Sequence, residues 1–120
     1  MKIAITTTGD NLNVPMDARF GRAQKFIVYD LDSNSFEVVD NQQNLNAIQG
    51  AGIQSAEAVA KTGARAVLTG HCGPKAFRAL SAAGIKIYNI SGATVSEAIE
   101  KFRSGQIAEA VSADVEGHWS

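Results

Sequence analysis

The chain has 120 residues, 45% hydrophobic and 19% charged, enough for one compact domain with a packed core. A formal net charge of −1 argues against a basic nucleic-acid-binding surface. One cysteine excludes an internal disulfide, and no apolar run approaches the length of a membrane span.

The opening MKIAI reads as a strand over residues 2–6. It has neither the apolar region nor the cleavage site of a signal peptide, so a cytoplasmic protein is expected. Residues 7–24 are polar and irregular, with Gly9, Asp10, Asn11, Asn13, Pro15 and Asp17. Residues 25–31 and 35–40 read as two strands joined by the turn signal Asp32-Ser33-Asn34, which makes a hairpin. After a Gln/Asn-rich loop over 41–49, Ile53, Ala56, Val59 and Ala60 recur at helical spacing, and Gly63 ends that helix. Residues 66–69 form a short buried strand. Gly73-Pro74 opens a second helix with Ala76, Phe77, Leu80 and Ala83 on its apolar face, stopped by Gly84. A strand over 85–90 follows. Thr94-Val95-Ser96-Glu97 is a capping box for a third helix, with Val95, Ala98, Ile99 and Phe102 inward and Gly105 at its end.

The predicted order is therefore three strands, then helix, strand, helix, strand, helix. Alternation in the second half implies parallel strands with right-handed crossovers. The result is an α/β domain over residues 1–105. Its five-stranded mixed sheet has the order 3-2-1-4-5, with strand 2 antiparallel and helices on both faces. In this arrangement the loops 7–24, 70–74 and 90–94 converge at a topological switch point, where open α/β sheets bind ligands. Gly21, Arg22, Gly70, Gly73, Ser91 and Gly92 are the candidate binding residues in those loops, with His71 and Cys72 as candidate metal ligands.

Cys72 stands where Gly73-Pro74 starts a helix. The positive end of the dipole and the unpaired amides there favour a thiolate, which predicts faster alkylation than a model thiol. A small buried core thiol is the plainer alternative. His71-Cys72, five intervening residues and Arg78 also give the spacing of a cysteine-dependent phosphatase loop. The chemistry fits that loop poorly. Pro74 has no amide hydrogen, Phe77 belongs to the apolar face, and Ala79 stands where a hydroxyl residue should follow the arginine. In the loop before strand 2, Arg19 and Arg22 are suited to an anion, while Phe20 either frames a mouth or plugs the end of the sheet.

Taken together, "MKIAI", "ARFGRAQKFIVYD", "GAGIQSAEAVAKTGARAVLTGHCGPKAFRALSAAGIKIY" and "SGATVSEAI" resemble the dinitrogenase iron–molybdenum cofactor biosynthesis family, the NifX-like small proteins, over residues 1 to about 105. The resemblance implies a ribonuclease H-like fold and a carrier that binds an anionic metal–sulfur cluster without catalysis. That cluster would be of the iron–sulfur, iron–molybdenum or molybdenum–copper type. Many members carry a histidine directly before the "FGR" stretch, where this chain has Arg19. One cysteine does not supply the four protein ligands of a conventional iron–sulfur cluster, whereas a preassembled sulfido cluster needs only an anchor or two. The implied partners are the cluster and the proteins that donate and receive it, with no nucleic acid and no membrane, the carrier being a monomer or weak homodimer. The competing function is a cysteine-dependent phosphatase or thiol-transfer enzyme using His71, Cys72 and Arg78. Residues 106–120 read as a C-terminal tail, partly disordered, with a short edge strand over 111–115 and with His118 and Trp119 near its end.

Overall fold

The computed structural model describes residues 1–44, 50–90 and 92–110. The expected edge strand over 111–115, together with His118, Trp119 and Ser91, lies outside them. The chain forms β1 (Lys2–Thr7), β2 (Lys25–Asp30), β3 (Ser35–Asp40), α1 (Ala51–Lys61), β4 (Ala66–Thr69), α2 (Pro74–Ala82), β5 (Lys86–Asn89) and α3 (Val95–Arg103). The sheet order is β3-β2-β1-β4-β5. β2 is antiparallel to both β1 and β3, and the β1–β4 and β4–β5 pairs are parallel. This is the topology read from the sequence.

Side chains alternate across the sheet and build two cores. Ala4, Phe26, Val28, Val67 and Ile87 face one way, toward Ala56 and Val59 of α1 and Ala76 and Leu80 of α2. Ile3, Ile5, Ile27, Ala66 and Leu68 face the other way, toward Val95, Ala98 and Ile99 of α3. Strands covered on both faces read as near-continuous apolar runs, which is why β1, β2 and β4 were legible. Each buried Leu or Ile contributes about 1.5–3 kcal/mol.

The helices differ from the sequence reading in one respect. The buried stripe of α1 comprises Gly52, Ser55, Ala56 and Val59, with Ala51 beside it. These positions follow the i, i+3, i+4, i+7 rule, which leaves Ile53 half-buried and Ala60 exposed on the flanks of the stripe. Phe77 and Phe102 are likewise half-buried, and Ala83 is exposed in the turn that ends α2. The expected stops are present: Gly63 and Gly84 follow α1 and α2 with φ of +84° and +77°, conformations that favour glycine. In the β2–β3 hairpin, Asn34 takes φ +59°, which asparagine tolerates better than most residues.

The described part of the tail is tied to the sheet. Glu109 forms an antiparallel bridge with Tyr88, and the Ala110 amide donates to the Ile87 carbonyl at 2.7 Å. The edge of β5 is thus partly paired. β3, at the opposite edge, exposes Phe36 and Val38. Among the described residues no helix is long and apolar enough to cross a membrane.

Candidate functional site

β1, β4 and β5 are mutually parallel, so their carboxyl ends lie at one end of the sheet, at the point where the chain leaves β1 for β2 on one side and β4 stands on the other. The loop after β1 crosses both of the other loops there. The His71 amide donates to the Ala18 carbonyl at 2.6 Å, and the Phe20 amide donates to the His71 carbonyl at 3.0 Å. Farther along, the Met16 amide donates to the Ala93 carbonyl at 3.0 Å, and the Val95 amide donates to the Val14 carbonyl at 2.9 Å. The three loops expected to converge therefore do, joined through their backbones.

A buried polar layer holds this end of the sheet. Thr6 Oγ1 lies 2.6 Å from the Asp17 carbonyl oxygen and 3.0 Å from Thr69 Oγ1. Thr7 Oγ1 donates to the Pro15 carbonyl at 3.0 Å, and Asn89 Nδ2 donates to the Gly70 carbonyl at 3.1 Å. All three threonines are fully buried, and their hydroxyls meet the requirement that buried polar groups find partners. Sequence reasoning missed Thr6, Thr69 and Asn89. The available signal was a hydroxyl or amide side chain as the last or next-to-last residue of each parallel strand.

Next to β2 the chain makes a 3₁₀ turn, Phe20–Arg22. Phe20 is fully buried and stacks near Phe26, with ring centroids 5.6 Å apart, so it plugs the end of the sheet. Gly21 is buried beside it, and Arg22 is exposed. Arg19 is also exposed, and its Nε lies 3.8 Å from Asp17 Oδ1, which also accepts from the Arg19 amide at 2.9 Å. Farther back, fully buried Asn41 clamps this segment. Its Nδ2 donates to the Ala23 carbonyl at 2.8 Å and to Ser55 Oγ at 2.9 Å.

Gly70 is buried against the backbone of Ala18. His71 is half-exposed, whereas Cys72 is only 1% exposed and packs in the core under α1 and α2. Gly73 is the N-cap of α2, with φ −73° and ψ 170°, a backbone any residue adopts, and Pro74 is the first helical residue. Gly92 has φ +72° and is exposed. The loop 90–94 that carries it also holds Ser91.

The burial of Cys72 corrects the expectation of a fast-reacting thiol, because a thiol enclosed by apolar side chains does not meet reagents. The phosphatase geometry is not present either. From Pro74 onward the residues between Cys72 and Arg78 are helical, and the Phe77 amide donates to the Gly73 carbonyl at 2.9 Å rather than toward a ligand. Arg78 is exposed, in a groove on the outer side of α2. Among the described residues, no group of three or more His, Cys, Asp or Glu side chains is arranged to hold a metal ion.

Comparison with known proteins agrees with this architecture. The apo form of the orange protein from Desulfovibrio gigas superimposes with a TM-score of 0.92 at 43% identity, over 95% of this chain and 96% of that one. A Thermotoga protein described as a NifB candidate gives a TM-score of 0.83 at 33% identity, over 95% and 97% of the two chains. An uncharacterized protein of Methanocaldococcus jannaschii is 28% identical over 110 residues, 89% of each chain. The family model described as dinitrogenase iron-molybdenum cofactor matches residues 1–105, and the chain belongs to that family.

Proposed function

We propose that this protein is an accessory carrier that holds a preassembled, anionic metal–sulfur cluster at the carboxyl end of its sheet, as cargo and without catalysis. The observation that carries the reading is the joining of the loops 7–24, 70–74 and 90–94 by backbone hydrogen bonds into one cluster, the mouth of the proposed site, with Arg19 and Arg22 exposed and His71 half-exposed beside it. Family membership and likeness to an orange protein solved in its apo form support the same reading.

The donor set suits a cluster that brings its own sulfide. One thiol, itself in the core, supplies far fewer ligands than a conventional iron–sulfur cluster takes from protein. Arginine guanidinium groups and backbone amides hold an anion by charge and hydrogen bonding instead. In this reading Arg22, with Arg19, supplies charge, exposed Gly92 contributes backbone surface, and buried Gly21, Gly70 and Gly73 support the loops from beneath, with Ser91 the remaining candidate by its place in the 90–94 loop. The His71 imidazole is the accessible metal ligand. Cys72 would ligate only when the 70–73 segment moves and brings its sulfur out of the core. The cargo is of the iron–sulfur, iron–molybdenum or molybdenum–copper type, and its donor and recipient are other proteins. The carrier itself works in the cytoplasm, as a monomer or weak homodimer.

The test is purification without oxygen, followed by a visible spectrum and by assays of iron, molybdenum, copper and acid-labile sulfide. A coloured, sulfide-containing protein is the expected result. A colourless protein that hydrolyses an aryl phosphate, and loses that activity on Cys72→Ser, would replace the carrier by the cysteine-dependent enzyme.

A further inference from the structure

On the outer side of α1 and α2 lies a groove of about 310 Å³ lined by Ile53, Lys75, Arg78, Ala79 and Ala82. Its floor is apolar. Among the described residues, Ile53 packs into neither core layer, although its β-branched side chain is only half-buried. Both charged residues lining the groove, Lys75 and Arg78, are cations and exposed. No carboxylate lines it among the described residues. This is a local excess of positive charge in a chain with 12 acidic and 11 basic residues. The groove also begins beside the mouth, since Lys75 is the second residue of α2, which starts directly after the His71-Cys72-Gly73 loop.

We propose that this groove docks the protein that delivers or receives the cargo, through a segment with an apolar ridge flanked by carboxylates. The proposal rests on the carrier reading for the identity of that partner, and on the groove itself for its chemistry. Apolar ridge atoms would cover Ile53, Ala79 and Ala82, and the carboxylates would pair with Lys75 and Arg78, whose aliphatic stems extend the floor. Place decides against the groove lined by Met1, Arg65, Lys86, Tyr88 and Phe102, which lies at the amino ends of β1, β4 and β5, opposite the mouth, and charge decides against the exposed face of β3. On β3, Phe36 and Val38 alternate with Glu37 and end at Asp40, so an acidic segment is repelled there. A partner seated on the first turn of α2 stands next to the mouth, and opposite charges on the two surfaces speed the encounter.

The experiment is a nuclear magnetic resonance titration of the isotope-labelled full chain with a synthetic amphipathic helical peptide, leucines along one face and glutamates on both flanks. Saturable shifts centred on Ile53, Lys75, Arg78, Ala79 and Ala82, weakening as salt rises, are the expected result. The double variant Lys75→Glu, Arg78→Glu should bind this peptide about tenfold or more weakly and should bind its lysine-flanked counterpart instead. Both changes are at exposed positions, and circular dichroism verifies the fold. Absence of saturable shifts overturns the proposal, as do shifts centred on β3 or binding indifferent to the peptide's charge. Shifts at the groove on diluting the protein alone would assign the surface to a second copy and also overturn it. The cluster assay is separate: a coloured protein that ignores the peptide overturns the groove alone. A colourless protein that binds the peptide overturns the carrier reading and, with it, the partner's identity as a cargo protein.

Discussion

A Cβ placed on Gly70 would stand 2.8 Å from the carbonyl oxygen of Ala18 and 2.9 Å from its Cα. The obstacle is backbone, and that same carbonyl accepts the His71 amide at 2.6 Å. Gly70 is therefore the contact point at which the loop after β1 and the loop after β4 are pressed together. Gly70→Ala should force them apart and lower stability by about 1–3 kcal/mol, as overpacking does. Urea denaturation measures the loss, and faster hydrogen exchange at the His71 and Phe20 amides locates it. Unchanged exchange at those amides would mean that the join does not depend on this glycine.

The capping box on α3 gives a prediction about pH. Thr94 Oγ1 accepts the Glu97 amide at 3.2 Å, and the Glu97 carboxylate accepts the Thr94 amide at 2.9 Å. Hydrogen bonds from the Thr94 backbone, then its side chain, hold the Glu97 carboxyl below its ordinary range. A depressed carboxylate stabilises the fold above its unfolded-state pKa, and the contribution is lost as pH falls through the folded value. Thr94→Ala should cost about 1 kcal/mol at neutral pH. Glu97→Ala removes the carboxylate itself, and its stability difference from wild type should shrink as pH falls below ~4, through the depressed folded value. A constant difference across that range would show that the carboxylate has no share in the cap.

Most of the fold was legible because its strands are buried on both faces and its helices carry explicit starts and stops. Gly73-Pro74, Thr94 to Glu97, Gly63 and Gly84 each act through the backbone at a fixed position, so their meaning survives without coordinates. What the sequence could not convey is rotation about an axis. Ile53 and Ala60 fit a helical period as well as Ser55 does, and only the placement of α1 on the sheet selects the stripe with Ser55, which pairs with buried Asn41. The convergence of the three loops followed from topology. The depth of Cys72 did not, since a helix N-terminus can present its preceding residue outward or inward, and here the side chain enters the core.

That depth reverses the expected reactivity. With 1% of Cys72 exposed, alkylation at neutral pH should be slower than that of a cysteine in a short peptide, and denaturant should restore the ordinary rate. Mass spectrometry follows both. Cys72→Ala, which keeps the site apolar, should be milder for stability than Cys72→Asp, which puts a carboxylate in the core. Native alkylation faster than the peptide would demonstrate that the 70–73 segment opens, the movement by which this sulfur would reach a metal.

Arg78 separates the carrier from the enzyme. A phosphatase loop requires Arg78 to grip the phosphate between two nitrogens, and its removal would abolish function. Here α2 already begins at Pro74, and exposed Arg78 projects into the outer groove, away from the mouth built around Gly70, His71 and the Phe20–Arg22 turn. Arg78→Ala should therefore change stability by no more than about 0.5 kcal/mol, as surface substitutions usually do. Cluster loading, measured as bound metal and sulfide after the apo protein is loaded with a preassembled metal–sulfur cluster in the absence of any donor protein, should stay at the wild-type level. By contrast, Arg19→Ala with Arg22→Ala should weaken retention of the cluster by about tenfold, and more at low salt, because the attraction is electrostatic and screened by ions. His71→Ala should lower loading further if the imidazole anchors the metal. Loss of loading in Arg78→Ala, with thermal unfolding unchanged, would contradict the mouth as drawn, since it would require the first turn of α2 to unwind and bring that arginine to the anion.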